Sequence, residues 1–393
     1  MEQIKTTYLK GDKVIWAVVF ALSVISLLAV YSSTGTLAYK YQHGNTVYYL
    51  IRHSFLLAVG LFIIFVVHHL PYRIYSPLSQ ILLVLSVPLL LFTLVMGTTL
   101  NEASRWITLP GLGVTVQTSD FAKFALITYL ARVLSLKQEV MDDFKQGFLP
   151  LIIPVVIICL LILPSNFSTA ALLFATALLL MFVGRASIRY LLLLLLVFVV
   201  MLAIAVFFLM HTTSNSRVAT WKHRVESFVN GDEEENFQAV QAKIAIATGG
   251  ITGKGPGNSV QRNFLPHPYS DFIYAIIIEE YGLFGAIAVL SLYLFILFRA
   301  GVIVRKCNRT FPAFLTFGLA VMLVFQAMVN MAVAVNLLPV TGQTLPFLSM
   351  GGSSILFSGV ALGIILSVSR QLDETETDNT ILNTDSLQNT DEE

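Results

Sequence analysis

The sequence predicts an all-α polytopic membrane protein with ten transmembrane helices, and three observations carry that prediction. Of its 393 residues, 56% are hydrophobic and only 12% charged, and the mean hydropathy of +0.78 lies far outside the range of soluble globular domains. Apolar runs long enough to cross about 30 Å of hydrocarbon as helices recur along the chain. Lysines and arginines collect on alternate connections, the distribution expected when every second short loop faces the cytoplasm. The net charge of +1 hides this segregation and gives no reason to expect a nucleic-acid partner.

The first element follows Lys5, Lys10 and Lys13, which precede an apolar run from Val14 to Tyr31. No small-residue cleavage site follows that run, so it reads as a retained helix and not a removed signal peptide. The ten spans fall at about 14–33, 49–68, 77–96, 119–135, 148–163, 168–183, 188–210, 272–298, 312–336 and 347–369. Between the fifth and sixth, Pro164, Ser165, Asn166 and Phe167 predict a tight helical hairpin. Arg73, Arg132, Lys137, Arg185, Arg305 and Arg370 fall with the amino-terminal lysines on one side, which makes both termini cytoplasmic.

The loop at about 211–270, between the seventh and eighth spans, then faces outward. It is too long for a mere connector, and Trp221, Phe228, Phe237 and Tyr269 among its charged residues argue against disorder. Its segment 236–248 reads as an amphipathic helix at the membrane interface. Residues 1–370 thus form the membrane domain, and 371–393, acidic without lysine or arginine, read as a disordered cytoplasmic tail.

Ionisable groups inside a membrane are costly unless paired or wetted, so each is a candidate for function. The densest candidate stretch is 249–285, GGITGKGPGNSVQRNFLPHPYSDFIYAIIIEEYGLFG. Its glycines allow positive φ and close approach of the backbone to a ligand, while Lys254, Arg262 and His267 supply cationic or donor groups. Together they suit an anionic or phosphorylated substrate, with Asp271 at the entry of the next span. Taken locally, Asp271 reads equally well as a helix N-cap.

Four further places stand out. Asp120 and Lys123 share a helical face at the head of the fourth span, where an internal ion pair is favoured over a substrate role. Glu279 and Glu280 lie within an apolar run, and Asp271, Ala275 and Glu279 advance by four residues. Either a polar channel from Asp271 or a structural pairing with Lys123 accounts for them, the structural reading being favoured. Arg105 beside Trp106 suits an interfacial anchor or a lipid phosphate. Finally, LPVTGQTLPFLSMGGSS at 338–354 is so rich in helix breakers that it must be buried in protein or line a cavity. Cys159 and Cys307 make no obvious pair, and no CxxC or HExxH spacing marks a metal site.

Three blocks carry a resemblance to a known family: SRWITLPGLGVTVQTSDFAK at 104–123, the stretch at 249–285, and the segment at 338–354. Together they make the chain resemble the SEDS family (shape, elongation, division and sporulation) of bacterial membrane proteins over nearly its whole length. The resemblance implies a peptidoglycan glycosyltransferase that polymerises lipid II at the outer face of the cytoplasmic membrane, with Asp271 as catalytic residue. A carboxylate there would take the proton of the acceptor hydroxyl as the pyrophosphate leaves. Arg105, Arg217, Arg224, Lys254 and Arg262 are candidates to meet the leaving group's charge. Lys123, Asn258, Ser259, His267 and Ser353 complete the expected substrate contacts, and Asp120, Glu279, Glu280, Gly351 and Gly352 the support. A divalent cation, Mg or Mn, bridging pyrophosphate and carboxylate is compatible with this chemistry, although no ligand set is visible.

The chain departs from the family's pattern at QTSD (117–120), where proline and glutamate are usual, at Asn166, where many members have aspartate, and at Met350, often tyrosine. Within the family, the compact run 258–271 and TGQTLP at 341–346 look more like the division-associated branch than the elongation-associated one. The partners implied are a class B penicillin-binding protein, since no transpeptidase motif is visible in this chain, and other division proteins at the septum. A lipid II flippase is the rival reading, and a scaffold that only activates its partner is a third.

Overall fold

In a computed structural model of the chain, residues 9–96, 98–100, 103–108, 115–211 and 237–390 are described. Their helices, in order, are α1 (Lys13–Ser33), α2 (Gly35–Tyr41), α3 (Thr46–His69), α4 (Tyr75–Met96), α5 (Thr118–Leu136), α6 (Leu149–Ile162), α7 (Phe167–Val183), α8 (Ile188–His211), α9 (Phe237–Gly249), α10 (Ile273–Lys306), α11 (Thr310–Ala334) and α12 (Gly352–Thr390). Each of the ten expected spans falls on one of these. Seven, namely α1, α3, α4, α6 with the turn before it, α10, α11 and α12, are long and apolar enough to cross a membrane. α7 and the first part of α8 are shorter apolar helices, and α5 carries Asp120 and Lys123 in its first two turns.

Among the described residues the extended structure is a small antiparallel sheet between α4 and α5. Its strands are β1 (Thr98–Leu100), β2 (Ala103–Thr108) and β3 (Thr115–Gln117), in the order β1-β2-β3. The register pairs Trp106 with Gln117 and Ile107 with Val116. The paired strands satisfy backbone groups on one another, a strong demand next to hydrocarbon.

Local chemistry sets the boundaries of the helices. Asp12 caps α1 by accepting from the amides of Val14 and Ile15, and its other oxygen takes both Nε and Nη2 of Arg299, which ties the start of α1 to the far part of α10. Asn166 caps α7 by accepting from Thr169 and closes the expected hairpin with α6. The last helix begins at Gly352, not at about 347, because residues 338–351 remain non-helical. Past Arg370 the helical backbone continues to Thr390, propagation from an established helix being cheaper than nucleation.

The centre of the molecule is α5, α11 and α12. In the apolar windows of α11 and α12, 72% and 78% of residues are buried, against 22% for α3 and α4, so the outer helices present most of their surface to lipid. α12 and α3 meet through small residues. A Cβ on Gly359 would lie 3.0 Å from the Gly60 carbonyl oxygen, and one on Gly60 would lie 2.6 Å from Ile355. Backbones in membranes approach this closely only across such residues.

Candidate active site

The N-terminal ends of α5, α10 and α12 and the last turns of α11 meet in one hydrogen-bonded cluster, and residues 338–351 thread through it. Four helices hold that segment. The hydroxyl of Ser26 on α1 donates to the Leu348 carbonyl (2.6 Å), and Tyr293 on α10 to that of Pro346 (2.6 Å). On α11, the Gln326 and Asn330 amides donate to the carbonyls of Thr344 (3.0 Å) and Gln343 (2.6 Å). The Gln343 side chain in turn donates to Thr169 on α7. These bonds replace those a helix would have provided, which is how irregular backbone is tolerated at this depth.

Asp271 sits in the turn before α10, partly exposed. Three successive carbonyls of its main chain are held from the facing side: that of Tyr269 by the Met350 amide (2.9 Å), that of Ser270 by the Ser349 hydroxyl (2.6 Å), and that of Asp271 by the Asn330 amide (2.9 Å). The Ser270 hydroxyl donates to Asp271 Oδ1 (3.0 Å). The N-cap of α10 is Phe272, with no side-chain cap bond, so Asp271 does not take the capping position that its place before an apolar run suggested. Exposed His267, at φ 57°, has Nδ1 3.2 Å from the Tyr269 hydroxyl. Burial, and next the Asp271 carboxylate, raise the Tyr269 pKa above its usual value, which keeps the phenol neutral.

The glycine-dense loop approaches a helix, not a ligand. α10 is broken at Gly282 (φ 63°, ψ −157°), and the break frees the carbonyls of Glu279 and Glu280 from the helical ladder. The loop supplies the missing donors: Lys254 N–H bonds Glu279 O and Gly255 N–H bonds Glu280 O, both at 2.9 Å, while Leu283 N–H bonds Gly250 O at 3.0 Å. A Cβ on Gly282 would fall 2.3 Å from Ile251 O, and one on Gly253 2.2 Å from Glu280 O. Only glycine permits this approach.

The same loop solvates both buried glutamates. Glu279, fully buried, pairs with Lys254 Nζ (2.6 Å) and accepts from the Ser259 hydroxyl and the amides of Val260 and Gln261. Glu280 accepts from the Ser32 hydroxyl and the Ser259 amide, and Arg262 donates to Ser32. The partner of Glu279 is therefore Lys254 and not Lys123. Since Asp271 precedes the helix, the expected shared face with Glu279 is not formed. Asn258 is exposed and donates to the Lys254 carbonyl (3.1 Å).

Asp120 and Lys123 form the expected pair at 2.9 Å, both buried. Lys123 also donates to Gln326 Oε1 (2.8 Å), and the hydroxyl of buried Ser353 donates to Asp120 Oδ2 (3.1 Å). Gly351 and Gly352 lead into α12, and Gly351 O accepts the Ile355 amide. Arg105 lies on β2, while Arg217 and Arg224 are outside the described residues. Among the described residues no group of three or more His, Cys, Asp or Glu could hold a metal ion.

Two residues of this site went unremarked in the sequence. Gln326 and Asn330 stand four apart within an otherwise apolar span, so one helical face carries two buried amides. Buried amides need partners, and that spacing was the available signal.

A family model described as cell cycle protein, for FtsW, RodA and SpoVE, matches residues 12–374. Probable peptidoglycan glycosyltransferases FtsW from Trichlorobacter lovleyi and Coxiella burnetii are each 33% identical to the chain, covering 92% and 90% of it and 93% and 95% of their own lengths. A chain from a peptidoglycan synthase complex, described as structurally coordinating polymerization and crosslinking, superposes with a TM-score of 0.73 at 27% identity, over 92% of this chain and 98% of its own. The rod shape determining protein RodA of Thermus thermophilus shares the fold, with a TM-score of 0.65 at 24% identity over 92% and 97%.

Proposed function

From the premise that this chain belongs to the FtsW/RodA/SpoVE family of cell cycle proteins, we infer that it is a multi-pass membrane peptidoglycan glycosyltransferase that polymerises lipid II, with Asp271 as its general base. One observation supports that role most directly: a partly exposed carboxylate stands on a turn whose three successive carbonyls are each pinned by a donor. A base must meet the acceptor hydroxyl at hydrogen-bond distance, and a fixed main chain provides that geometry before substrate arrives.

Glycosyl transfer joins the acceptor oxygen to the donor sugar's anomeric carbon, breaks the bond to pyrophosphate and passes the hydroxyl proton to Asp271. The diphosphate leaving group suits a cluster where α5, α10 and α12 all begin, since helix N-termini favour anions. Arg105, Arg217, Arg224 and His267 are the proposed contacts for its charge. Lys254, Arg262, Ser259, Lys123 and Ser353 are assigned support, because the glutamates, Ser32 and Asp120 already occupy them. A Mg or Mn ion is proposed to accompany the pyrophosphate and offset its charge; among the described residues no group of three or more His, Cys, Asp or Glu could hold it.

Among the described residues, buried Asp120 and Glu279 are each closed into a local pair, with Lys123 and Lys254, which favours chemistry over lipid transport. The FtsW relatives favour a division role at the septum, and the segregation of lysines and arginines along the sequence favours cytoplasmic termini. For crosslinking, we assign a separate class B penicillin-binding protein as the partner.

The test is glycan-strand formation from purified lipid II in the presence of that partner. Asp271→Ala and Asp271→Asn should each reduce polymer at least about a thousandfold while the protein stays folded, a large loss for a general base. Normal polymerisation by either variant would remove the assignment.

A further inference from the structure

We propose that Asn330 is a positioning residue for Asp271, its side-chain amide setting the direction of the carboxylate by holding the Asp271 main-chain carbonyl against residues 343–350. Asn330 stands near the C-terminal end of α11 with 1% of its surface exposed. Its Nδ2 donates twice, to the carbonyl of Asp271 (2.9 Å) and to that of Gln343 (2.6 Å). Two carbonyls 72 residues apart in the chain thus share one NH2 group. The assignment of the amide follows from its partners, since a carbonyl oxygen turned toward both acceptors would be repelled by each.

Two features separate this from ordinary filling of the core. The Asn330 Oδ1 finds no hydrogen-bond partner among the described residues, so half of the amide is buried at a cost and only the two donors are used. A leucine of similar volume would avoid that cost, whereas a serine or threonine would supply one donor in place of two.

The second feature is Gln326, one turn earlier on the same helical face. It donates to the carbonyl of Thr344, the residue after Gln343, and accepts from Lys123. Successive carbonyls of the threaded segment are therefore read by two amides of one rigid helix. One of these amides leads back to the Asp120–Lys123 pair and the other to Asp271. The carbonyl of residue 271 is one bond from its Cα, so displacement of the carbonyl turns the Cα–Cβ vector and swings the carboxylate, an effect that a contact to the side chain alone would not produce.

The effect on turnover rests on the reading of Asp271 as the base, whereas the positioning itself is measured without it. Asn330→Leu and Asn330→Ala are compared with the parent in two experiments on the full chain. In hydrogen–deuterium exchange in detergent, peptides covering 268–276 and 343–350 should exchange at least about fivefold faster in both variants, while those of α1 and α3 are unchanged. In lipid II polymerisation with the class B partner, kcat should fall about tenfold to a hundredfold with KM changed less than about threefold, as misplacement of a base predicts.

Unchanged exchange at 268–276 would overturn the proposal, whatever the activity. So would unfolding of both variants, because the amide would then be holding the whole bundle and not one turn of it. A parent that makes no polymer would instead overturn the glycosyltransferase reading and leave the exchange result to decide the positioning. Faster exchange with unaltered kcat in a polymerising protein would show that the turn moves without consequence, and the proposal would fall with it.

Discussion

Asp120 shows how the bilayer decides the value of a single residue. Its carboxylate is buried with Lys123 and Ser353 as partners, and such a pair is costly to assemble yet more costly to break, because the survivor is left charged and alone. Lys123→Met should therefore destabilise the protein by about 3–5 kcal/mol. The double variant Asp120→Asn with Lys123→Met should lose clearly less, since no net charge stays buried. Thermal unfolding in detergent measures both, and equal losses in the two proteins would refute the pairing as the source of the effect. The short side chain of Asp120 fits the geometry: Ser353 and Lys123 both reach it, so its departure from the usual glutamate costs no contact with them. Charge alone had suggested that Lys254 could meet a substrate phosphate, but its ammonium lies against Glu279.

At the scale of elements, the glycine loop and the broken helix are one unit. The loop's amides complete the hydrogen bonding of α10 at its interruption, and the loop's Lys254 and Ser259 satisfy the buried Glu279 one turn before it. The sign of one substitution tests this. In an unbroken helix, glycine to alanine is stabilising by about 1 kcal/mol. At Gly282 a side chain would be strained by the positive φ and would strike Ile251 O and Gly253 N, so Gly282→Ala should instead destabilise by roughly 2–4 kcal/mol. The displaced loop should also become cleavable, and limited proteolysis within residues 250–270 would report it. A more stable Gly282→Ala protein would mean that α10 runs straight.

For the molecule as a whole, the burial gradient assigns roles to the helices. α11 and α12 are nearly enclosed, while α3 and α4 face outward over most of their length, so the turn proposed to react is held by Asn330 against one of the most enclosed helices of the bundle. Near the end of the family match, which stops at residue 374, Glu374 pairs with Arg370 and with Lys10. Truncation after Glu374 should leave lipid II polymerisation within about twofold of the full chain, chain ends beyond the region shared by the family being tolerant of change. A tenfold loss on truncation would assign the tail a role in turnover.

The sequence by itself determined the ten helices, the hairpin at Asn166, the non-helical segment before α12 and the family. These are legible because hydrocarbon forces every spanning segment to satisfy its own backbone, which writes each helix as a continuous apolar run broken by glycine and proline. The Asp120–Lys123 pair was readable for the same reason, as both members lie within one turn. Only the tertiary structure decided that Glu279 belongs to Lys254, that the glycines serve a helix break, and that Asn330 reaches the main chain of Asp271 from 59 residues away. Such contacts depend on how helices distant in sequence cross. A charge or an amide placed in an apolar run states that it needs a partner, but which partner it meets is fixed by packing.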